Sequence, residues 1–145
     1  MKFPYRKYPN RAPNAICPDA SIRVPIIPLR VLTTPDRYLD TYALVDSGAQ
    51  LCLFPAEYAR YLGLDPAHGI AIPVHGIGGA TLSALFQPVT LEVGGWGYQA
   101  PVGFAESGVP VPLLGQIGFF DHARVIFDYT NEKIEILPHR TTGKA

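Results

Sequence analysis

Asp46, Ser47, Gly48 and Ala49 follow directly on the apolar run "TYALV" and precede Leu51, Leu53 and Phe54. An acid set between two apolar segments lies near a core, and a carboxylate placed there is a candidate general acid or base. Asp-Ser-Gly alone is also what an ordinary turn contains. Its setting lifts it above that: a strand-like run feeds straight into Asp46, Gly48 permits a tight turn, and the small Ala49 leaves room beside the acid for a ligand.

Other chemistries find less support. His68, His75, His122 and His139 show no metal-ligand spacing, so no metal site and no cofactor are expected. Ser47 or Ser107 as a nucleophile lacks an identifiable base and orienting acid. "GIGGAT" (76–81) has the glycines of a phosphate cradle, yet it lacks the P-loop lysine and leads into strand-like residues. Trp96 and the tyrosines read as packing groups, because a formal net charge of zero gives no sign of a nucleic-acid partner or a charged membrane surface.

The elements that must position Asp46 are mostly strands. At 145 residues, 48% hydrophobic and 17% charged, the chain fits one folded domain, and Pro 15 with Gly 14 argues for many turns and short strands. Residues 1–20, with Lys2, Arg6, Lys7 and Arg11 and no periodicity, read as an extended, solvated N-terminal arm. "SIRVPIIPLRVL" suits an edge strand or two short strands broken by Pro25 and Pro28. "TTPDR" is a turn, and "YLDTYALV" a strand apolar on both faces and therefore expected to be buried.

"PAEYARYLGLD" predicts a short helix opened by Pro55 and closed by Gly63. "IAIPVHGIGGATLSALFQPVTLEV" predicts two strands joined at a glycine-dense tip, Gly94-Gly95 the next turn, and "WGYQAPVGFA" a further strand. "VPLLGQIGFF" places Leu113 and Leu114 before Gly115 and a helix-like turn; "ARVIFDYT" and "KIEILP" predict a terminal hairpin. About eight short strands and one or two short helices make the class mainly β, a closed or partly closed small barrel spanning residues 21–138, with 139–145 a C-terminal tail.

An apolar strand, Asp-Ser-Gly-Ala, a glycine hairpin about 30 residues on, and an apolar-apolar-Gly element occur here in the order found in the retroviral-type (retropepsin-like) aspartic proteases, which the chain resembles over about residues 22–138. The resemblance implies an aspartic endopeptidase of the retropepsin-like acid-protease fold, with Asp46 one half of a catalytic pair. The chain holds a single Asp-Ser-Gly, so the second aspartate would come from another copy in a homodimer. It further implies that Ser47 bonds across the dimer axis, that Gly48 and Ala49 offer close approach, and that Gly76, Ile77, Gly78 and Gly79 form a flap. Leu113, Leu114 and Gly115 would pack behind the aspartate loop. An extended peptide would be the substrate, with Ala49, Leu51, Ile77 and Phe86 as apolar pocket residues.

Many members of that family carry an arginine after the apolar-apolar-Gly triplet, paired with an acid past the aspartate loop; here those positions are Gln116 and Gln50. Three alternatives stay open on the sequence: a non-catalytic dimerisation or peptide-binding module, an N-terminal arm that occupies the cleft or must be trimmed, and a part for "KIEILP" in an intersubunit sheet. Cys17 and Cys52 read most simply as two reduced thiols, with a single disulfide the alternative. No apolar run of signal or membrane-spanning length occurs, so a soluble, cytoplasmic protein is expected.

Overall fold

The computed structural model describes residues 1–140. Twelve strands and one α-helix follow in the order β1 (Lys2–Pro4), β2 (Arg6–Pro9), β3 (Ser21–Val24), β4 (Ile26–Thr34), β5 (Arg37–Val45), β6 (Leu53–Pro55) and α1 (Ala56–Tyr61). Then come β7 (Ile70–His75), β8 (Thr81–Val93), β9 (Trp96–Ala105), β10 (Leu113–Leu114), β11 (Ala123–Asp128) and β12 (Lys133–Pro138). β4, β5, β10, β6, β9 and β8 pair in that order, and a further β4–β8 pairing closes them into a six-stranded barrel; β7 adds to β8. The fold is mainly β with a closed barrel. Closure removes the open sheet edge that a small β-domain must otherwise protect.

The alternation of side chains along each strand decides what lies inside. Ile27, Leu29 and Val31 of β4, Ala43 and Val45 of β5, Val89, Leu91 and Val93 of β8, and Val102 and Phe104 of β9 fill one core with Phe54, Leu114 and Phe119. In the first half of β8 the buried parity is the other one: Ala84 and Phe86 join Leu53, Ala105 and Val109 in a second, smaller core. The switch falls at Gln87 and Pro88, where the buried Gln87 side chain donates to the carbonyl of Asp65 at 3.1 Å.

Several expectations are corrected here. Four more strands form than the sequence predicts, because β6 and β10 are only 3 and 2 residues long and exist through distant partners, and the arm contributes two. β5 is not buried on both faces: Ala43 and Val45 point inward, while Tyr38, Asp40 and Tyr42 lie on the solvent face of the barrel. After Gly115 the chain makes hydrogen-bonded turns and no assigned helix; Gly118, at φ +101°, interrupts it.

Of the expected arm, residues 1–5 are extended and docked on the core, whereas β2 and most of residues 10–20 face solvent. β1 pairs antiparallel with β12, Met1 and Phe3 pack on the core, Tyr5 is buried, and β2 pairs with β3. Burying those apolar groups supplies the stabilisation a free arm would lack. At the other end, the His139 amide donates to the His122 carbonyl at 2.8 Å; the rest of the expected tail, from residue 141, lies outside the described residues. Cys17 and Cys52 are both free thiols.

Candidate active site

Asp46 sits at the end of β5, a strand held on both sides: Leu44 is opposite Ile26 of β4 and, in parallel register, Leu113 of β10. Backbone bonds carry this grip to the acid itself. The Leu44 amide donates to Pro112 at 2.8 Å, that of Val45 to Pro25 at 2.9 Å, and that of Asp46 to Leu114 at 3.0 Å. The following turn is stabilised by the carboxylate: Asp46 Oδ1 accepts the Gly48 amide at 3.0 Å, and the Ala49 amide donates to the Asp46 carbonyl at 3.2 Å. A Cβ on residue 48 would stand 3.3 Å from Oδ1, so glycine keeps that oxygen accessible.

The segment after β10 clasps the loop from behind. Gln116 donates through Nε2 to the Ser47 carbonyl at 2.7 Å and through its amide to the Ala49 carbonyl at 2.9 Å; the Ile117 amide donates to Gln50 at 3.0 Å. Gly115 lies so close to the loop that a Cβ there would fall 2.4 Å from the Leu51 carbonyl oxygen. Cys52, directly below, accepts the Gly115 amide at 3.3 Å; burial pushes its thiol up to about 12, so it remains a neutral core group. By sequence, Gln116 and Gln50 mark only a lost ion pair. The structure shows that a neutral bond from Gln116 holds the loop instead, and it is Ser47, not residue 50, that receives its side chain.

Asp46, Gly48 and Ala49 open into a cleft of about 440 Å³. The β7–β8 hairpin borders it with Val74, His75, Gly76 and Ile77, and apolar walls come from Leu51, Leu53, Leu82, Val109 and Leu113. The cleft thus joins an acid to an apolar trough. Gly78 and Gly79 lie at the hairpin tip with φ of +81° and +79°, and a methyl group added at either would have nothing within 4 Å; the tip is closed by the Gly76 amide bonding Ala80 at 2.7 Å. Ile77 is fully exposed.

Of the residues singled out by sequence, Asp46, Gly48, Ala49, Leu51, Gly76, Ile77 and Leu113 meet at this cleft. Ser47 is exposed beside it, and its hydroxyl has no hydrogen-bond partner among the described residues. Leu114 and Gly115 are buried behind the loop, as packing groups. Phe86 is a correction: it shares the inward face of β8 with Leu82 but lies further along, 7% exposed in the second core and outside the cleft. Leu53, Val74, Leu82 and Val109 line the cleft without having been expected to. No residue of 1–20 borders the cleft, so the arm does not occupy it in its own chain.

A larger hollow, about 570 Å³, lies on the exposed face of β4 and β5. Its Asp40 is already engaged by Arg30 through two bonds of 2.6 and 2.9 Å, and those bonds hold the carboxyl below the usual carboxylate range. That acid is a structural partner, whereas the Asp46 carboxylate accepts only the Gly48 amide among the described residues.

A family model described as aspartyl protease matches residues 39–117, more than half of the chain. The chain belongs to the aspartyl protease family. The matched range runs from β5 through the Asp46 loop and the β7–β8 hairpin to Ile117, the segment that clasps the loop. Among solved structures, 142 chains match. One is the EIAV protease complexed with the inhibitor HBY-793: 21% identical, with 64% of this chain and 82% of that chain covered at a TM-score of 0.49. No protein with a curated description matches.

Proposed function

We propose that this aspartyl protease-family chain is an aspartic endopeptidase that works as a homodimer, with the Asp46 of each copy contributing to a single site. The observation that carries the reading is the placement of one acid, rigidly held by backbone at the end of β5, on the floor of an apolar cleft bordered by a glycine-tipped hairpin. One carboxylate can act as a base but cannot at the same moment donate a proton to the scissile carbonyl. Two copies solve this.

Two carboxylates a few ångströms apart cannot both ionise cheaply, so the pair shares one proton; the aspartic-protease dyad is itself the usual illustration of that effect. The ionised member takes a proton from a water held between them, and the water oxygen attacks the carbonyl carbon. The protonated member hydrogen-bonds the carbonyl oxygen as negative charge develops there. The same groups return a proton to the departing amine, and no covalent intermediate with the protein is needed.

In this reading Ser47, whose hydroxyl has no partner among the described residues of its own chain, bonds across the dimer axis beneath the acids. The β7–β8 hairpin is the flap, and Ile77, exposed at its tip, gains burial when substrate is covered. The substrate is an extended peptide pairing with strand edges, and the walls of Leu51, Leu53, Leu82 and Val109 favour hydrophobic residues flanking the cut. Two free thiols suit a reducing compartment, which supports a cytoplasmic location.

The test is hydrolysis of an unbiased peptide library from about pH 3 to 7 by wild type and Asp46→Asn, with the solution mass of each recorded. Cleavage by wild type alone, both proteins being dimeric, is the expected result. A folded, dimeric wild type that cleaves nothing would instead point to a peptide-binding module.

A further inference from the structure

β7 ends the row of barrel strands and pairs only with β8, so its outer edge is free. Alternation puts Val74, Ile72 and Ile70 on one face, opposite Leu82, Ala84 and Phe86 of β8. Val74 borders the cleft. Ile72 is 37% exposed and Ile70 68% exposed, although their partners Ala84 and Phe86 are buried in the second core. A row of aliphatic groups therefore runs out of the cleft along this edge, each further into solvent than the last.

The row ends in a hollow of about 250 Å³, bordered by Ile70, Phe86, Pro88 and Pro101, with Gln87 and Gln99 as its polar side chains and no charged residue. Gln87 is already committed to the Asp65 carbonyl. Phe86, which alternation alone assigns to the cleft, belongs to this separate hollow, its ring so close to Gly103 that a Cβ there would stand 2.5 Å away. Pro88 and Pro101 face each other across β8 and β9 and have no rotamer freedom to lose when a ligand arrives.

Spacing sets what can reach it. Ile70 is four residues from Val74, about 13 Å along an extended chain. A peptide lying in the cleft advances at the same rise, so the residue four positions beyond the one against Val74 arrives at the hollow on the same face. Pro73 removes a donor from the middle of β7, so side chains, more than a continuous backbone ladder, would hold that stretch. A charged side chain entering the hollow would lose water and find no partner, whereas an aliphatic or aromatic one gains burial.

We propose that the hollow beside Ile70 is a distal substrate site, which takes a hydrophobic side chain of the protein substrate about four residues beyond the segment held in the cleft. The inference rests on the endopeptidase reading above and extends its specificity. With one shared site per dimer, the twofold sets one such hollow toward each end of the bound chain. Substrates are then selected by a hydrophobic anchor set apart from the cut on either side, in addition to the residues that flank it.

A positional scan tests it. The library peptide bound most tightly by Asp46→Asn, measured by fluorescence anisotropy, is lengthened at either end with Gly and Ser, and a single Leu or Lys is moved along the extension. At one position on each side, Leu is expected to bind about tenfold more tightly than Lys, and kcat/KM of the otherwise wild-type enzyme to show the same ratio. Ile70→Glu, placed on both backgrounds, should bring that ratio to one or below, while Ile70→Val should keep most of it. A ratio of one at every position, or a ratio unchanged by Ile70→Glu, would overturn the distal site and leave the endopeptidase reading intact. A Leu preference in binding with no cleavage by wild type would keep the hollow and overturn the endopeptidase reading. Failure of Asp46→Asn to bind any peptide would overturn both.

Discussion

The two sides of the cleft are built on opposite terms. The Asp46 loop is fixed by backbone bonds to Pro25, Pro112 and Leu114 and clasped by Gln116 and Ile117, which follow a Gly115 whose amide is bonded to the buried Cys52. The hairpin facing it ends in Gly78 and Gly79, where an added methyl would touch nothing, and an isoleucine in full solvent. Glycine serves both, for different reasons. Gly115 is glycine because backbone presses against it from outside; Gly78 and Gly79 are glycine because the chain turns through left-handed conformations. Electrostatic catalysis needs charges that do not reorganise, while substrate entry and release need a cover that does.

Equal substitutions on the two sides must therefore have unequal effects. Gly115→Ala forces a methyl against two carbonyl oxygens of the aspartate loop, and a loss of about 3 kcal/mol or more is expected, lowering Tm by roughly 10 °C and activity with it. Thermal denaturation checks it; an unchanged Tm would mean the clasp is loose. Gly78→Ala or Gly79→Ala meets no atom but strains a positive φ by about 1 kcal/mol. Tm should hardly move, whereas kcat/KM should fall about fivefold, because the strain is confined to the hairpin.

The smallest effect is expected from Gln116→Ala. It removes one exposed bond to the Ser47 carbonyl, a loss of about 0.5–1 kcal/mol, and the Gln116 amide still holds Ala49. A modest fall in kcat with unchanged KM would place the bond in the support of Asp46; a change in KM alone would place it in substrate binding.

What the sequence reveals and conceals follows from the range of the interactions involved. The run into Asp46, the helix between Pro55 and Gly63 and both glycine turns are local, and each is legible from a few neighbouring residues. β1, β6 and β10 are not. β1 owes its existence to β12 at the far end of the chain, and two- or three-residue strands carry no period to detect. The cleft shows the same division. The face of β8 that carries both Leu82 and Phe86 is legible by alternation, but how far along that face the cleft extends is set by packing of Val109 from an irregular Gly/Pro-rich loop. Gln116 is legible as a residue and not as a contact, since a glutamine's reach to a carbonyl 69 positions away leaves no mark in sequence.

Subunit mixing distinguishes one site made by two Asp46 side chains from one site per chain. Wild type and Asp46→Asn are exchanged to equilibrium at equal concentration, and peptide hydrolysis is compared with that of the same total protein as wild type. Random pairing leaves about a quarter of the dimers with two aspartates, so activity should fall to about a quarter, and should follow the square of the wild-type fraction as the mixture is varied. Activity that falls to about half, and in proportion to the wild-type fraction, would show that each chain hydrolyses peptides alone and would contradict the account.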